Sequence, residues 1–435
     1  MAAENESKHP KLTLAWHTRF SLSLFASLND IACRPDGTVN RRLTKIIDHK
    51  TKPDATPVKG VISKDVTVDV TKTVWFRLYT PSSATAVNGD ATLPILIFFH
   101  GGGFAFLSPS SYSYDAVCRG FVRQLNVVVV SINYRLTPEN RYPCQYDDGF
   151  AAVKFLDENP SVLPENADVS KCFVAGDSAG ANLAHHVVVR VAQSELQKIR
   201  IIGLISIQPF FGGEERTEAE IRLAEAAPLV SMARTDWLWR VFLPKGANRD
   251  HEAVNVSGPN AVDISGLNYP NSLVFVGGFD PLQDWQRRYY NWLKKSGKEA
   301  ELIEYPTMFH AFYLFPNTPE STQLISQVKD FITNQPKSTS DLPYVGPRPA
   351  FGPSPIRIHT RRPMTLITGF TQDRDHIRTD LVRIYPLNNR NYHGYIKRRS
   401  ALLQVHLLNP TQSLCIRRLP NPYLVTLPLH AITHP

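Results

Sequence analysis

The chain is poor in the features that mark secreted, metal-bound or membrane-spanning proteins. It has five cysteines in 435 residues: Cys33, Cys118, Cys144, Cys172 and Cys415. They are scattered, odd in number and form no CxxC pair, which argues against a disulfide framework or a zinc site and fits a reducing compartment. No apolar run approaches the ~20 residues needed to cross a bilayer. The N-terminus, Met1-Ala2-Ala3-Glu4-Asn5-Glu6-Ser7-Lys8, is polar with no apolar stretch behind it. No secretory signal is read there, and the expected location is cytoplasmic, with the nucleus as an alternative. There is no internal repeat and no coiled-coil heptad.

Most of the chain also lacks net charge. Residues 336–435 hold 14 Lys+Arg against 4 Asp, a net of +10. That leaves 34 Lys+Arg against 35 Asp+Glu for residues 1–335, a net of −1. The same last segment holds 13 of the 33 prolines, which sets a boundary near Gln335. Residues 1–335 are expected to form one domain, and 336–435 a basic, Pro-rich, disordered tail. Its Arg361-Arg362, Lys397-Arg398-Arg399 and Arg417-Arg418 clusters could serve an anionic partner. The tail also has apolar patches such as Ala401-Leu402-Leu403-Gln404-Val405, but no sustained period, and read-through of adjacent sequence is a further reading. A nucleic-acid role is not favoured, and the oligomeric state is left open.

What the body has is alternation. Residues 11–29 carry the spaced apolars of an amphipathic helix. Runs 65–70 and 73–79 read as strands, and 81–92 as a surface loop. Strands at 94–99 and 127–132, apolar but for Ser131, belong to a parallel sheet buried on both faces. Helices are expected at 113–124 and 143–158, then a strand at 171–175 and a helix from Ala181. Another strand spans 201–207. Residues 210–268 break the pattern and read as an insertion. Strands at 272–277 and 301–305 and helices at 282–296 and 320–334 complete a mostly parallel, doubly wound α/β sheet with helices on both faces.

The organising stretch is Gly176-Asp177-Ser178-Ala179-Gly180, between a strand and a helix. A Gly-x-Ser-x-Gly there is the nucleophile-elbow pattern, whose sharp turn holds Ser178 at the helix N-terminus. Such a serine needs a base, an orienting acid and an oxyanion hole. Asp280 and His310 follow the next strands in the order acid, then base. Asp284 is the second candidate acid but falls within a helix. His185 and His186 on the elbow helix read as packing or surface residues. After strand 94–99 comes His100-Gly101-Gly102-Gly103-Phe104. It lacks a Walker lysine and G-x-G-x-x-G spacing, so it reads as an oxyanion loop. Donors from Gly102, Gly103 and Ala179 would converge on the developing alkoxide.

These motifs together resemble the hormone-sensitive-lipase branch of the α/β-hydrolases. More closely, they resemble the plant carboxylesterases and their relative, the gibberellin receptor. Further matching segments are Arg34–Arg41, Ser131–Glu139, Tyr142–Gly149, Phe210–Glu218 and Asp284-Trp285-Gln286, so the resemblance runs from about residue 11 to 335. It implies an α/β-hydrolase with a cap from residues 11–40 and 210–268. It also implies a serine carboxylesterase acting on short-acyl esters of small molecules, without metal or organic cofactor. Ser178 would attack, His310 shuttle the proton and Asp280 hold the imidazole. The pocket lining is expected near Phe104, Tyr134, Trp237, Phe312 and Tyr313. The receptor keeps the serine but lacks the histidine that His310 matches here, and its Asp-Arg-Asp-Trp reads Arg234-Thr235-Asp236-Trp237. Related dehydratases replace the serine with threonine. Receptor and dehydratase are therefore alternatives that these residues count against.

Overall fold

A computed structural model describes residues 16–82, 92–315 and 318–335, and the backbone of four further strands between 393 and 427. The expected loop tip (83–91), the first 15 residues and most of the basic tail lie outside the described residues.

Two helices open the chain, α1 (Trp16–Ala32) and α2 (Arg41–Ile47), followed by β1 (Val61–Asp69), β2 (Val74–Pro81) and β3 (Leu93–Phe99). Then come α3 (Tyr112–Phe121), β4 (Val128–Asn133), α4 (Cys144–Glu158), β5 (Ala167–Asp177), α5 (Ala179–Ala192) and β6 (Ile201–Ile207). The insertion carries α6 (Glu218–Arg222) and α7 (Met232–Phe242). The body closes with β7 (Asn271–Phe279), α8 (Gln283–Lys295), β8 (Ala300–Phe309) and α9 (Pro319–Asn334).

The eight strands form one sheet in the order β1-β2-β4-β3-β5-β6-β7-β8. β1, β2 and β4 pair antiparallel, and every pair from β4 onward is parallel. The period-2 alternation of strands explains why successive residues of β3 and β4 are apolar on both faces. Ile95, Ile97 and Phe99 of β3 enter one core, while Leu96 and Phe98 enter the core on the opposite face. Val128, Val130 and Ile132 of β4 face the first core, and Val129 the second. The chain reverses its order across the sheet between β3 and β5. In such sheets, crevices at the carboxyl ends of the strands beside the reversal are where ligands bind.

Several elements run beyond the apolar signal. β5 begins at Ala167 and β8 ends at Phe309, because pairing with neighbouring strands carries the ladder past the residues that look like strand. The helix read at 113–124 stops at Phe121 and continues as a π-turn over Val122–Asn126. Helix α2 gave no sequence signal: it is seven residues long, capped by the Asn40 side chain accepting from the Leu43 N–H. Two arginines tie the N-terminal segment to the body. Arg41 donates to Ala105 O at 2.5 Å and Thr137 O at 2.7 Å, and pairs with Glu139. Arg234 of α7 donates to Ala26 O of α1 and pairs with Asp30.

A second unit begins at Pro347. Its described backbone is a four-stranded antiparallel sheet of β9 (His393–Arg398), β10 (Ala401–Leu407), β11 (Leu414–Arg418) and β12 (Val425–Leu427), in the order β12-β11-β10-β9. Composition alone gives no sign of these four strands. The ladders, with Leu403 opposite Ile396 and Val405 opposite Ile416, depend on pairing that a search for a sustained period does not reveal. Among the described residues, no helix is long and apolar enough to cross a membrane.

Candidate active site

Four strand ends meet around one cavity of about 520 Å³. Ser178 stands between β5 and α5 with φ 52° and ψ −120°. This is a conformation L-residues avoid, and holding one there costs on the order of 1–3 kcal/mol. The turn closes only because its flanks are bare. A Cβ on Gly176 would lie 2.3 Å from Gly180 C and O, and one on Gly180 would lie 2.0 Å from Phe99 O. Ser178 and His310 both line the cavity, as do Gly102, Gly103 and Asp177.

Asp280 follows β7 directly and His310 follows β8 directly. His310 Nδ1 lies 2.6 Å from Asp280 Oδ2. Since a carboxylate accepts, Nδ1 carries the hydrogen and Nε2 is left as the basic atom. Burial opposes charge on His310, but Asp280, through its charge and hydrogen bond, and then Asp177 outweigh it and raise the imidazole above its ordinary value. Asp280 is fully buried and well held: its Oδ1 accepts from Leu282 N at 3.0 Å, and its Oδ2 from Gln286 Nε2 at 2.7 Å and Gln208 Nε2 at 3.3 Å. Asp284, the second candidate acid, is engaged elsewhere, accepting from Ala219 N at 2.8 Å and from Arg287.

The glycine loop follows β3. Gly102 has φ +104° and Gly103 φ +61°. No backbone carbonyl among the described residues accepts from their N–H groups, and Ala179, as the first residue of α5, has an N–H with no intrahelical partner. These three donors are unspent. His100 does not face the cavity. It is buried, stacks on Tyr134 with ring centres 4.2 Å apart, and its Nδ1 donates to Gly101 O at 2.9 Å. Burial pushes it down to about 3, so it is neutral. On α5, His185 lies 2.7 Å from Tyr269 Oη and His186 stacks on Tyr146. Both are buried packing groups whose charged forms burial disfavours.

A family model described as the alpha/beta hydrolase fold matches residues 96–314. A gibberellin receptor of Arabidopsis thaliana is 39% identical over 332 residues, covering 74% of this chain and 95% of the receptor. Carboxylesterase 20 of the same plant is 37% identical over 320 residues, covering 71% and 96%. The chain belongs to the α/β-hydrolase family. Its branch is the hormone-sensitive-lipase-like one that these relatives share. Among solved structures, a hyperthermophilic esterase from the archaeon Pyrobaculum calidifontis matches with TM-score 0.59 at 25% identity, covering 73% of this chain and 97% of its own.

The aromatic residues expected to line the pocket of this α/β-hydrolase-family chain are placed elsewhere. Phe104 stacks on Phe242 at 4.1 Å, and Tyr134 donates its hydroxyl to His100 O at 2.7 Å under the glycine loop. Trp237 donates Nε1 to Arg34 O at 2.7 Å, Phe312 packs on Tyr305, and Tyr313 is buried beside Asp177 without hydrogen-bond geometry. Rings next to a motif in sequence are used to wedge its loops in place. The walls come instead from Leu22 and Phe25 of α1, Leu229, Arg234 and Leu238 of the insertion, and Leu314 and Phe315 after His310. The amphipathic pattern of α1 was the available signal for the first two.

Gln208 and Gln286 were also unmarked. Gln286 sits in the Asp-Trp-Gln segment; Gln208 stands alone after β6, bridging Asp280, Phe309 O and Ala311 N. Among the described residues, no three His, Cys, Asp or Glu side chains converge as metal ligands would.

Proposed function

We propose that the chain is a carboxylesterase hydrolysing short-acyl carboxylic esters through an acyl-enzyme on Ser178. The observation that carries this is the 2.6 Å pair of His310 and Asp280 beside a cavity that Ser178 and the Gly102-Gly103 loop also line. Ser178 Oγ adds to the ester carbonyl as His310 Nε2 takes its proton. The oxyanion is held by the N–H groups of Gly102, Gly103 and Ala179. His310 returns the proton to the departing alcohol. Water then adds to the acyl-enzyme in the same way, and Ser178 leaves. Asp280 keeps the imidazole in one tautomer and stabilises its cation. The mainly aliphatic and aromatic walls suit an uncharged acyl chain, and the volume lies in the range of small-molecule sites.

A ligand-binding receptor on the same fold is the second reading, favoured by the identity to a gibberellin receptor. Turnover separates the two. The test is hydrolysis of p-nitrophenyl esters from acetyl to octanoyl by the protein and by Ser178→Ala. Chain-length-dependent turnover abolished in the variant is expected. A folded protein without turnover would shift the assignment to ligand binding.

A further inference from the structure

Asp177 and Tyr114 have no part in the steps just described, yet both line the cavity. We propose that Asp177 is a positioning residue, acting through Tyr114 to fix the glycine loop against the turn that carries Ser178. The inference rests on the esterase reading.

Gly101 N–H donates to Tyr114 Oη at 2.7 Å. The hydroxyl hydrogen of Tyr114 goes on to Asp177, whose Oδ2 is 2.8 Å and Oδ1 3.0 Å away. Chemistry fixes the direction of this chain: an amide N–H only donates, a carboxylate only accepts, and a hydroxyl does both. Consecutive bonds of this kind polarise and strengthen one another in a low-dielectric interior. The two ends are telling. Asp177 immediately precedes Ser178, and Gly101 immediately precedes Gly102. The chain therefore joins the end of β5 to the end of β3 one residue behind the attacking atom and one residue behind the first oxyanion donor. The fit is tight, since a Cβ on Gly101 would lie 2.7 Å from Asp177 Oδ2 and 2.8 Å from Tyr114 Oη.

Stability alone is a poor account of this carboxyl group. It is buried, with one hydroxyl as its hydrogen-bond donor among the described side chains, and burying a carboxylate with so few partners is unfavourable. What it supplies is a fixed distance between two loops that must act on the same substrate atom. Small misplacements of such groups are expensive in rate.

The test is steady-state hydrolysis of p-nitrophenyl butyrate by the full chain and by Tyr114→Phe, Asp177→Ala and Asp177→Asn. An alkyl trifluoromethyl ketone serves as oxyanion mimic, and a melting curve checks each fold. Tyr114→Phe and Asp177→Ala are expected to lower kcat by roughly ten- to a hundredfold with KM little changed, and to weaken the ketone by a similar factor. Asp177→Asn, whose amide oxygen still accepts from Tyr114, should recover most of kcat. A folded Tyr114→Phe with unaltered kcat, a loss confined to KM, or an Asn variant as slow as the Ala variant overturns the inference. If Tyr114→Phe does not fold, the Asn-to-Ala ratio at 177 decides. Absence of turnover in the unaltered protein is a different result and defeats the esterase reading itself.

Discussion

His310 Nδ1 lies 2.6 Å from Asp280 Oδ2, and that carboxylate is sealed from solvent and held by Leu282 N and Gln286 Nε2. With so many donors, Asp280 has little freedom to release the imidazole. On the proposed mechanism Asp280→Asn presents an amide where a carboxylate should be and favours the wrong tautomer. A loss in kcat on the order of 10³–10⁴ is expected, with KM nearly unchanged. Gln286→Leu removes only one restraint on Asp280 and should cost far less.

The acid limb of the pH–rate profile follows from the same pair. His310 must be neutral to accept a proton, so kcat/KM falls as pH drops through its pKa. Because Asp280 and Asp177 raise that pKa against the effect of burial, the limb should lie above the ordinary histidine value of 6.5. The residual activity of Asp280→Asn should show the limb moved to lower pH. An unmoved limb would mean that another group governs it.

Asp177 predicts a pH dependence of stability. Its neighbours are Tyr114, Tyr313, Tyr134 and His310, and burial pushes its carboxyl up from 3.8 to about 6 despite hydrogen bonds that pull it down. A raised pKa means that the folded state binds the proton more tightly than the unfolded chain. The contribution is full below about pH 4 and is lost as pH rises through about 6; its size is at most roughly 3 kcal/mol. Asp177→Asn should therefore melt higher than the unaltered protein at pH 8, with the gap closing at pH 4. A constant gap would place the effect in packing rather than in charge.

The sheet and the placement of the motif residues at its strand ends were legible because each rests on local chemistry. Double-sided burial makes β3 apolar throughout and β4 apolar from Val128 to Val130, and a strand-to-helix turn of this sharpness requires Gly176 and Gly180. The cavity walls were not legible, because they are set by which elements fold over the site. Phe104 and Tyr134 lie near the motifs in sequence and turn away to pack. Leu22 and Leu238 are more than 200 residues apart and face the same space. Gln208 has no pattern to betray it, since its role depends on β6 ending level with Asp280 and Phe309.

Gly102 offers a direct probe of the proposed oxyanion loop. Its φ of +104° is unfavourable for any L-residue, and an added Cβ would lie 2.5 Å from Phe106 O. The loop cannot give way freely, because Ala105 N and Phe106 N both donate to Gly102 O. Gly102→Ala should lower kcat by about 10²-fold, as expected for a displaced oxyanion donor. Binding of a substrate-like amide should change little. Equal losses in both would indicate a collapsed cavity instead.

Arg234 holds the wall that α1 contributes. Its guanidinium pairs with Asp30, donates to Ala26 O at 3.0 Å and also reaches Leu229 O. The arginine side chain is largely buried but Asp30 is half exposed, so the bonds to Ala26 O and Leu229 O carry more of this tie than the ion pair does. Three of its five N–H donors go to α1 and Leu229 and its charge is paired with Asp30, which reduces its pull on an anionic substrate. Arg234→Met keeps most of the apolar stem and deletes the donors. Faster amide exchange across Trp16–Ala32 is expected, with the protection of β3 to β8 retained. KM should rise several-fold for octanoyl esters, which need the Leu22 and Phe25 wall, and little for acetyl esters. A uniform rise across chain lengths would show that α1 is needed for the site as a whole rather than for the far end of the acyl pocket.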